Sequence, residues 1–271
     1  MTRIRPPSQA GKFYPEDPTT LAEMVDEMME EARGRVKITV GRTVAFIVPH
    51  AGYVYSGPIA ASAYAVMERQ SGPVERVILL GPSHWADFRG FALSEAEGFA
   101  TPLGVVPVDV EANELLVQRG VAFYGDSAHL PEHCLEVQLP FLQRILDSFQ
   151  IVPILVGRAD PNEVGVLLDT LNRTAGTVIL VSSDLSHYLD YETAVRVDRA
   201  TAEQILRLDW RAIHSEAACG YRAIRGLLHY AGLKGWRVRL LDLRNSGDTA
   251  GPADRVVGYG AFAFEQRGGN S

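Results

Sequence analysis

Three stretches of the chain carry a run of Val, Ile and Leu forward to a histidine. Val44–His50 reads VAFIVPH, Val77–His84 reads VILLGPSH and Val178–His187 reads VILVSSDLSH. Imidazole is the commonest side-chain metal ligand and the group best suited to proton transfer near neutral pH. Two or three imidazoles with one anionic group make a metal site with open coordination positions. The candidates for the anion are Asp184, Glu132, Glu136, Cys134 and Cys219. Cys219, in EAACGYRAI, lies beside Gly220 between two helical stretches, where a loop presents it; as thiolate it is a strong, soft ligand. Its other reading is that of a small buried apolar residue. Cys134 lies in EHCLEVQLPFL, where Leu135, Leu139, Leu142 and Leu146 mark an apolar helix face, and core packing accounts for it.

The remaining histidines divide by context. His187 follows Asp184 by three residues, and a carboxylate partner that fixes the tautomer and raises basicity suits an acid-base imidazole. His129 and His133 are spaced HxxxH, but Pro131 between them marks a helix start and the sequence is not HExxH, so a zincin pair is rejected. His133 then falls in a first helical turn, where the macrodipole favours the neutral ring; it reads as a pocket-lining acid-base group or as a plain helix-start residue. His214 and His229 read as structural. Tyr53, Tyr55 and Tyr188 can shape a pocket, with aromatic packing as the competing use.

These side chains need a scaffold that brings them together. Asp17 caps a helix with Pro18 at its first position, followed by Leu21, Met24, Val25 and Met28 at helical spacing. Strands are expected at 43–48, 76–80, 90–94, 105–108, 151–156, 178–182, 237–243 and 256–264. Helices are expected at about 58–68, 110–118, 131–147, 161–171 and 192–208. The alternation is that of an α/β domain, whose unbroken apolar runs are parallel strands buried on both faces. Ligands in such sheets bind outside the carboxyl ends of the strands, where His50, His84, Asp184 and His187 fall. No linker or repeat divides the 271 residues, which read as one domain with an extended entry at 1–10 and a disordered tail at 266–271.

Composition narrows the function. With 26 Lys+Arg against 33 Asp+Glu, a net charge of -7 and no basic cluster interleaved with aromatics, nucleic acid is not the expected partner. No apolar stretch is long enough to span a bilayer and no signal peptide is apparent, so no membrane association and a cytoplasmic location are expected. Two distant cysteines suggest neither a disulfide framework nor a zinc ribbon. No strand leads into GxGxxG and no P-loop is present, which removes nicotinamide enzymes and kinases. The sequon at 172–174 carries no meaning in a cytoplasmic chain.

Several ordered motifs together resemble the Memo family: AGKFYP at 10–15, PHAGYVYSG, GPSHW, TPLG at 101–104, EHCLEVQLPFL and SSDLSHY. The resemblance covers about residues 5 to 264. It implies a single three-layer α/β domain, a central mostly parallel or mixed sheet flanked by helices, similar in fold to the class III extradiol dioxygenases. It implies His50, His84 and Cys219 as metal ligands, with the catalytic candidates His187, Asp184 and His133 beside them. Where the dioxygenases use a glutamate this chain offers Cys219, which moves the expectation from ring cleavage towards thiolate-tuned chemistry. The expected cofactor is Fe(II), with Cu or Zn as alternatives, and the expected activity a mononuclear oxygenase-like oxidoreductase on an unknown small substrate. Two further readings stand beside it: a non-catalytic binding or adaptor protein recognising an anionic group or peptide, and a zinc-dependent hydrolase with His187 as base. Family association adds a radical-SAM protein and an AMMECR-like protein, the AmmeMemoRadiSam system, as expected partners.

Overall fold

The computed structural model describes residues 2–37, 42–70, 72–172 and 176–266. Its strands in chain order are β1 (Ile4–Arg5), β2 (Thr43–Val48), β3 (Arg76–Pro82), β4 (Phe91–Leu93), β5 (Gly98–Thr101), β6 (Gly104–Pro107), β7 (Phe123–Tyr124), β8 (Gln150–Val156), β9 (Thr177–Ser182), β10 (His187–Leu189), β11 (Arg237–Asn245) and β12 (Val256–Glu265). Among the described residues nine of them form one mixed sheet in the order β10-β12-β2-β9-β3-β8-β4-β7, with β11 also paired to β12. The centre, β2-β9-β3-β8, is parallel throughout. β12 joins β2 antiparallel, and β4 joins β8 antiparallel, so the parallel core is flanked by reversed strands. A small second sheet, β1-β5-β6, lies beside it.

Helices cover both faces. They are α1 (Pro18–Arg35), α2 (Tyr53–Glu68), α3 (Val110–Gln118), α4 (Asp126–His129), α5 (Leu139–Ile145), α6 (Pro161–Leu171), α7 (Tyr191–Leu206) and α8 (Tyr221–Lys234). The two-residue period of the central strands sorts their side chains between two cores. Phe46, Val48, Val77, Leu79 and Leu180 pack with α1, α2 and α5. Ala45, Ile47, Ile78, Leu80, Ile179 and Val181 pack with α3, α6, α7 and α8. Three layers result, and a strand buried on both faces needs an apolar residue at every position, which is why these runs are unbroken.

Helix starts follow local chemistry. Asp17 accepts the Thr20 N–H at 2.8 Å and Asp160 forms a reciprocal capping box with Glu163, each cap contributing about 1 kcal/mol. Two expectations need correcting. The helix expected from Pro58 starts a turn earlier at Tyr53, whose N–H donates to the Phe13 carbonyl, so Pro58 sits inside the helix instead of at its first position. The helix expected over 131–147 is a non-helical turn, a short 3-10 segment at Glu136–Gln138 and then α5. Pro131 opens no helix, and the macrodipole argument for a neutral His133 falls with it. Gln266 still donates to the Arg42 carbonyl; the rest of the expected tail and positions 173–175, which include most of the sequon, lie outside the described residues. No described helix is long and apolar enough to cross a membrane.

Candidate metal centre

His50 follows the end of β2, His84 follows β3, and β9, which lies between those strands, runs on into Ser182, Ser183 and Asp184. Three adjacent strand ends therefore deliver two imidazoles and a carboxylate to one edge of the sheet. His133 arrives separately, on the turn before Glu136. The rings of His50, His84 and His133 contact one another, with centroids 5.3, 5.2 and 4.7 Å apart, and one ring nitrogen from each lies within 4.8 Å of the others.

Their hydrogen bonds determine which nitrogen is free. The Ser182 hydroxyl donates to the Cys134 carbonyl at 2.6 Å, so its single proton is committed. It can then only accept, and it accepts from the Gln138 amide at 2.8 Å and from His50 Nδ1 at 2.9 Å. Nδ1 of His50 therefore carries the proton and Nε2 the lone pair. Glu132 does the same for the other two rings: its Oε1 lies 2.8 Å from His84 Nδ1 and 3.2 Å from His133 Nδ1. It also accepts the backbone N–H groups of His84 and His133 at 2.8 and 2.9 Å. A carboxylate or hydroxyl holding the far nitrogen of each imidazole is the arrangement that orients metal-ligating histidines.

Charge is distributed to match. Burial pushes the His50 imidazole well below its ordinary value, and the neighbouring His133 and His84 rings push the same way, so it is neutral. Burial pushes the Glu132 carboxyl up, but the hydrogen bonds from His133 and His84 reverse this and hold it far below the usual carboxylate range. Asp184 is raised by burial, a shift opposed by the His50 backbone N–H that it accepts at 2.7 Å.

Cys219 reaches the same place from another part of the chain. Its Sγ lies 3.2 Å from His50 Nε2, 3.7 Å from the Asp184 carbonyl and 3.8 Å from Ser183 Oγ. The loop comes this close because Gly220 follows: a Cβ there would lie 2.7 Å from Ser183 Cβ, whereas the Gly220 N–H donates to Ser183 Oγ at 2.9 Å. Burial, with Asp184 adding to it, pushes the thiol up to about 12. Cys134 donates to the Pro82 carbonyl at 3.2 Å over Gly81, where a Cβ would lie 2.5 Å from its sulfur, and that sulfur lies within 4.8 Å of ligand atoms of His84 and Glu132. It is fully buried, and its thiol is pushed up by burial.

His187 and Asp184 both line the cleft but do not pair. Asp184 accepts from the His50 backbone, and Leu185 is fastened to the Gly258 carbonyl at 2.8 Å, which carries His187 onto β10 as an exposed residue. The cleft, about 600 Å³, has the three central imidazoles at its floor, Phe13, Tyr55 and Tyr188 on its walls, and Lys12 and Arg255 in its lining. Phe13 stacks on His133 with centroids 4.5 Å apart. Tyr188 has φ 60°, a left-handed conformation costly for a bulky residue, and Arg255 lies over its ring at 4.7 Å.

The role of Ser182, Gln138 and Glu132 in orienting the rings was not visible in the sequence. Glu132 stood among the anion candidates, and its position directly before His133 was the one signal available. A metal held here would meet imidazole nitrogen and thiol sulfur with carboxylates behind them, a set that would suit a first-row transition metal and not the oxygen cages of calcium or magnesium.

Comparison with known proteins identifies the family. A family profile described as Memo-like protein matches residues 5–263. A MEMO1 family protein of Saccharolobus solfataricus is 36% identical over 96% of this chain and 99% of its own length. Counterparts in Ignicoccus hospitalis and Desulfurococcus amylolyticus are 36% and 32% identical with similar coverage. Among solved structures, an uncharacterized Escherichia coli K12 protein covers 80% of this chain at 14% identity with a TM-score of 0.48, too slight a likeness to bear on function. With a family match across nearly its whole length, this chain belongs to the Memo family.

Proposed function

We propose that this protein holds one redox-active transition metal, Fe(II) in the first place and copper as the alternative, and acts on a small substrate that enters the cleft; zinc in the same site would make it a hydrolase instead. The observation that carries the reading is the shared orientation of three imidazoles: Ser182 and Glu132 take up the Nδ1 side of His50, His84 and His133 and leave the Nε2 sides for a ligand, with the Cys219 sulfur 3.2 Å from that of His50. The proposed ligands are His50, His84 and Cys219, with His133 beside them as a fourth donor or as the acid-base group. When bound, such a metal would supply Lewis acidity and one-electron chemistry, tuned by a thiolate ligand if Cys219 binds.

The chain's own residues supply the rest. Lys12 and Arg255 favour an anionic group on the substrate, and the aromatic walls exclude water from its apolar part. Asp184, raised by burial, and the exposed His187 are the groups that can hold or release a proton at the cleft. The cationic rim also favours a second reading, a binding protein that recognises an anionic group or peptide without turnover.

The deciding experiment is anaerobic loading with Fe(II), Cu(I) and Zn(II) in competition, followed by elemental analysis of wild type, His50→Ala and Cys219→Ala. About one equivalent of iron or copper in wild type, lost in both variants, supports the redox centre. Zinc taken up in preference moves the reading to hydrolysis. No specific uptake removes the metal and leaves the binding protein.

A further inference from the structure

One buried ion pair lies directly behind the metal centre. Arg5 and Glu136 are both buried and form an ion pair. A buried pair contributes little net stability by itself, because desolvating two charges offsets most of their attraction. The neighbouring hydrogen bonds show what this pair holds. The Arg5 guanidinium donates through Nη2 to the Glu132 carbonyl at 2.7 Å, and through Nε and Nη2 to the His129 carbonyl at 3.2 and 3.1 Å. Those carbonyls bracket the turn closed by Glu132 N–H donating to His129 C=O at 3.2 Å. Glu136 in turn accepts from Ser8 N and Oγ, from Gln9 N at 2.8 Å and from Tyr14 Oη at 2.6 Å. One side of this network is the segment 5–14; the other is the turn whose Glu132 carboxylate aligns His84 and His133. The same segment ends by stacking Phe13 on His133.

We infer that Arg5 and Glu136 are positioning residues of the metal centre and that the segment 5–14 is a working part of it. Arg5 fixes the backbone of the turn, the turn fixes the Glu132 carboxylate, and the carboxylate fixes two imidazoles. Arginine is required because the fork grips two carbonyls and a carboxylate at once, and an ammonium cannot span them. This inference rests on the metal reading proposed above.

The test uses the full chain with Co(II) as probe: anaerobic titration for affinity, ligand-field absorption for geometry, and thermal unfolding of the metal-free protein. Arg5→Lys and Glu136→Gln are expected to bind Co(II) at least about tenfold more weakly, the range seen when groups behind metal ligands are removed, with an altered ligand-field spectrum. Lys234→Ala, which breaks an exposed ion pair with Asp169 outside this network, is expected to bind as wild type does. Two chemically different variants keep the test open if one of them does not fold. A variant that melts earlier yet keeps wild-type affinity and spectrum would reduce the network to a strut and overturn the inference. Absence of Co(II) binding by wild type would overturn the metal reading, and this inference with it.

Discussion

Glu132 and His84 meet twice: Oε2 accepts the His84 backbone N–H and Oε1 accepts its ring Nδ1, both at 2.8 Å. A side chain held at its backbone and at its ring has neither rotation nor tautomer left to choose. The Glu132 carboxylate therefore acts as a jig for the ligand, and through the shared Oε1 for His133 as well.

Glu132→Gln tests that role. An amide presents one acceptor oxygen where two imidazole N–H groups and the backbone N–H groups of His84, His133 and Cys134 now converge. Metal affinity is expected to fall by about 10- to 100-fold, read by competition with a chromophoric chelator, with far-UV circular dichroism unchanged. Wild-type affinity in the variant would show that the rings are set by packing alone.

Cys219 makes a prediction about protons. With its thiol pushed up to about 12, it is protonated at pH 7 in the metal-free protein, and ligation must displace that proton. Calorimetric titration at pH 7 in buffers of different ionisation enthalpy should show wild type releasing one more proton per metal than Cys219→Ala. Affinity should rise with pH, up to tenfold per unit, more steeply in wild type than in the variant. Equal proton release would assign the third position to His133.

His129 governs acid stability. Burial lowers this imidazole to about 4 from an ordinary value of 6.5, while its Nε2 bonds the Ala92 carbonyl at 2.9 Å. The unfolded chain thus binds a proton between pH 6.5 and 4 that the folded chain refuses, and stability falls as pH drops through that window. The loss is on the order of 3 kcal/mol by pH 4, and buried His50 adds to it with the same sign. Urea unfolding of metal-free His129→Gln should give a flatter profile there than wild type; parallel profiles would place the acid sensitivity elsewhere.

Tyr188 is exposed and held at φ 60°. The left-handed conformation costs about 1–2 kcal/mol, and the exposed contact with Arg255 returns about 0.5–1 kcal/mol. Tyr188→Gly should therefore melt no lower than wild type, and slightly higher, while substrate or anion binding weakens. A large drop in Tm would make the ring a packing residue.

How much of this the sequence could disclose depends on who makes the bonds. Strands buried on both faces write themselves as unbroken apolar runs, so β2, β3 and β9 and the histidines beyond them were legible, and Asp17 and Pro18 located α1. Pro58 misled because proline at a helix start and proline tolerated inside a helix look alike until the Tyr53–Phe13 bond is known. The helix start at Pro131 failed for a related reason: the turn carrying His133 is held by Arg5, more than a hundred residues away, and no local pattern records that. The expected Asp184–His187 pairing failed because Asp184 found a nearer donor in the His50 backbone.

The strand order bears on when the site can exist. β2 and β3 come early in the chain, yet they are held apart by β9, which arrives about a hundred residues after β3. Until β9 is inserted, His50 and His84 have no fixed separation, Ser182 is not there to orient His50, and Cys219 has not been added. A chain still being synthesised offers no finished cage, so an ion of the kind proposed above would meet only loose imidazoles until the sheet is whole.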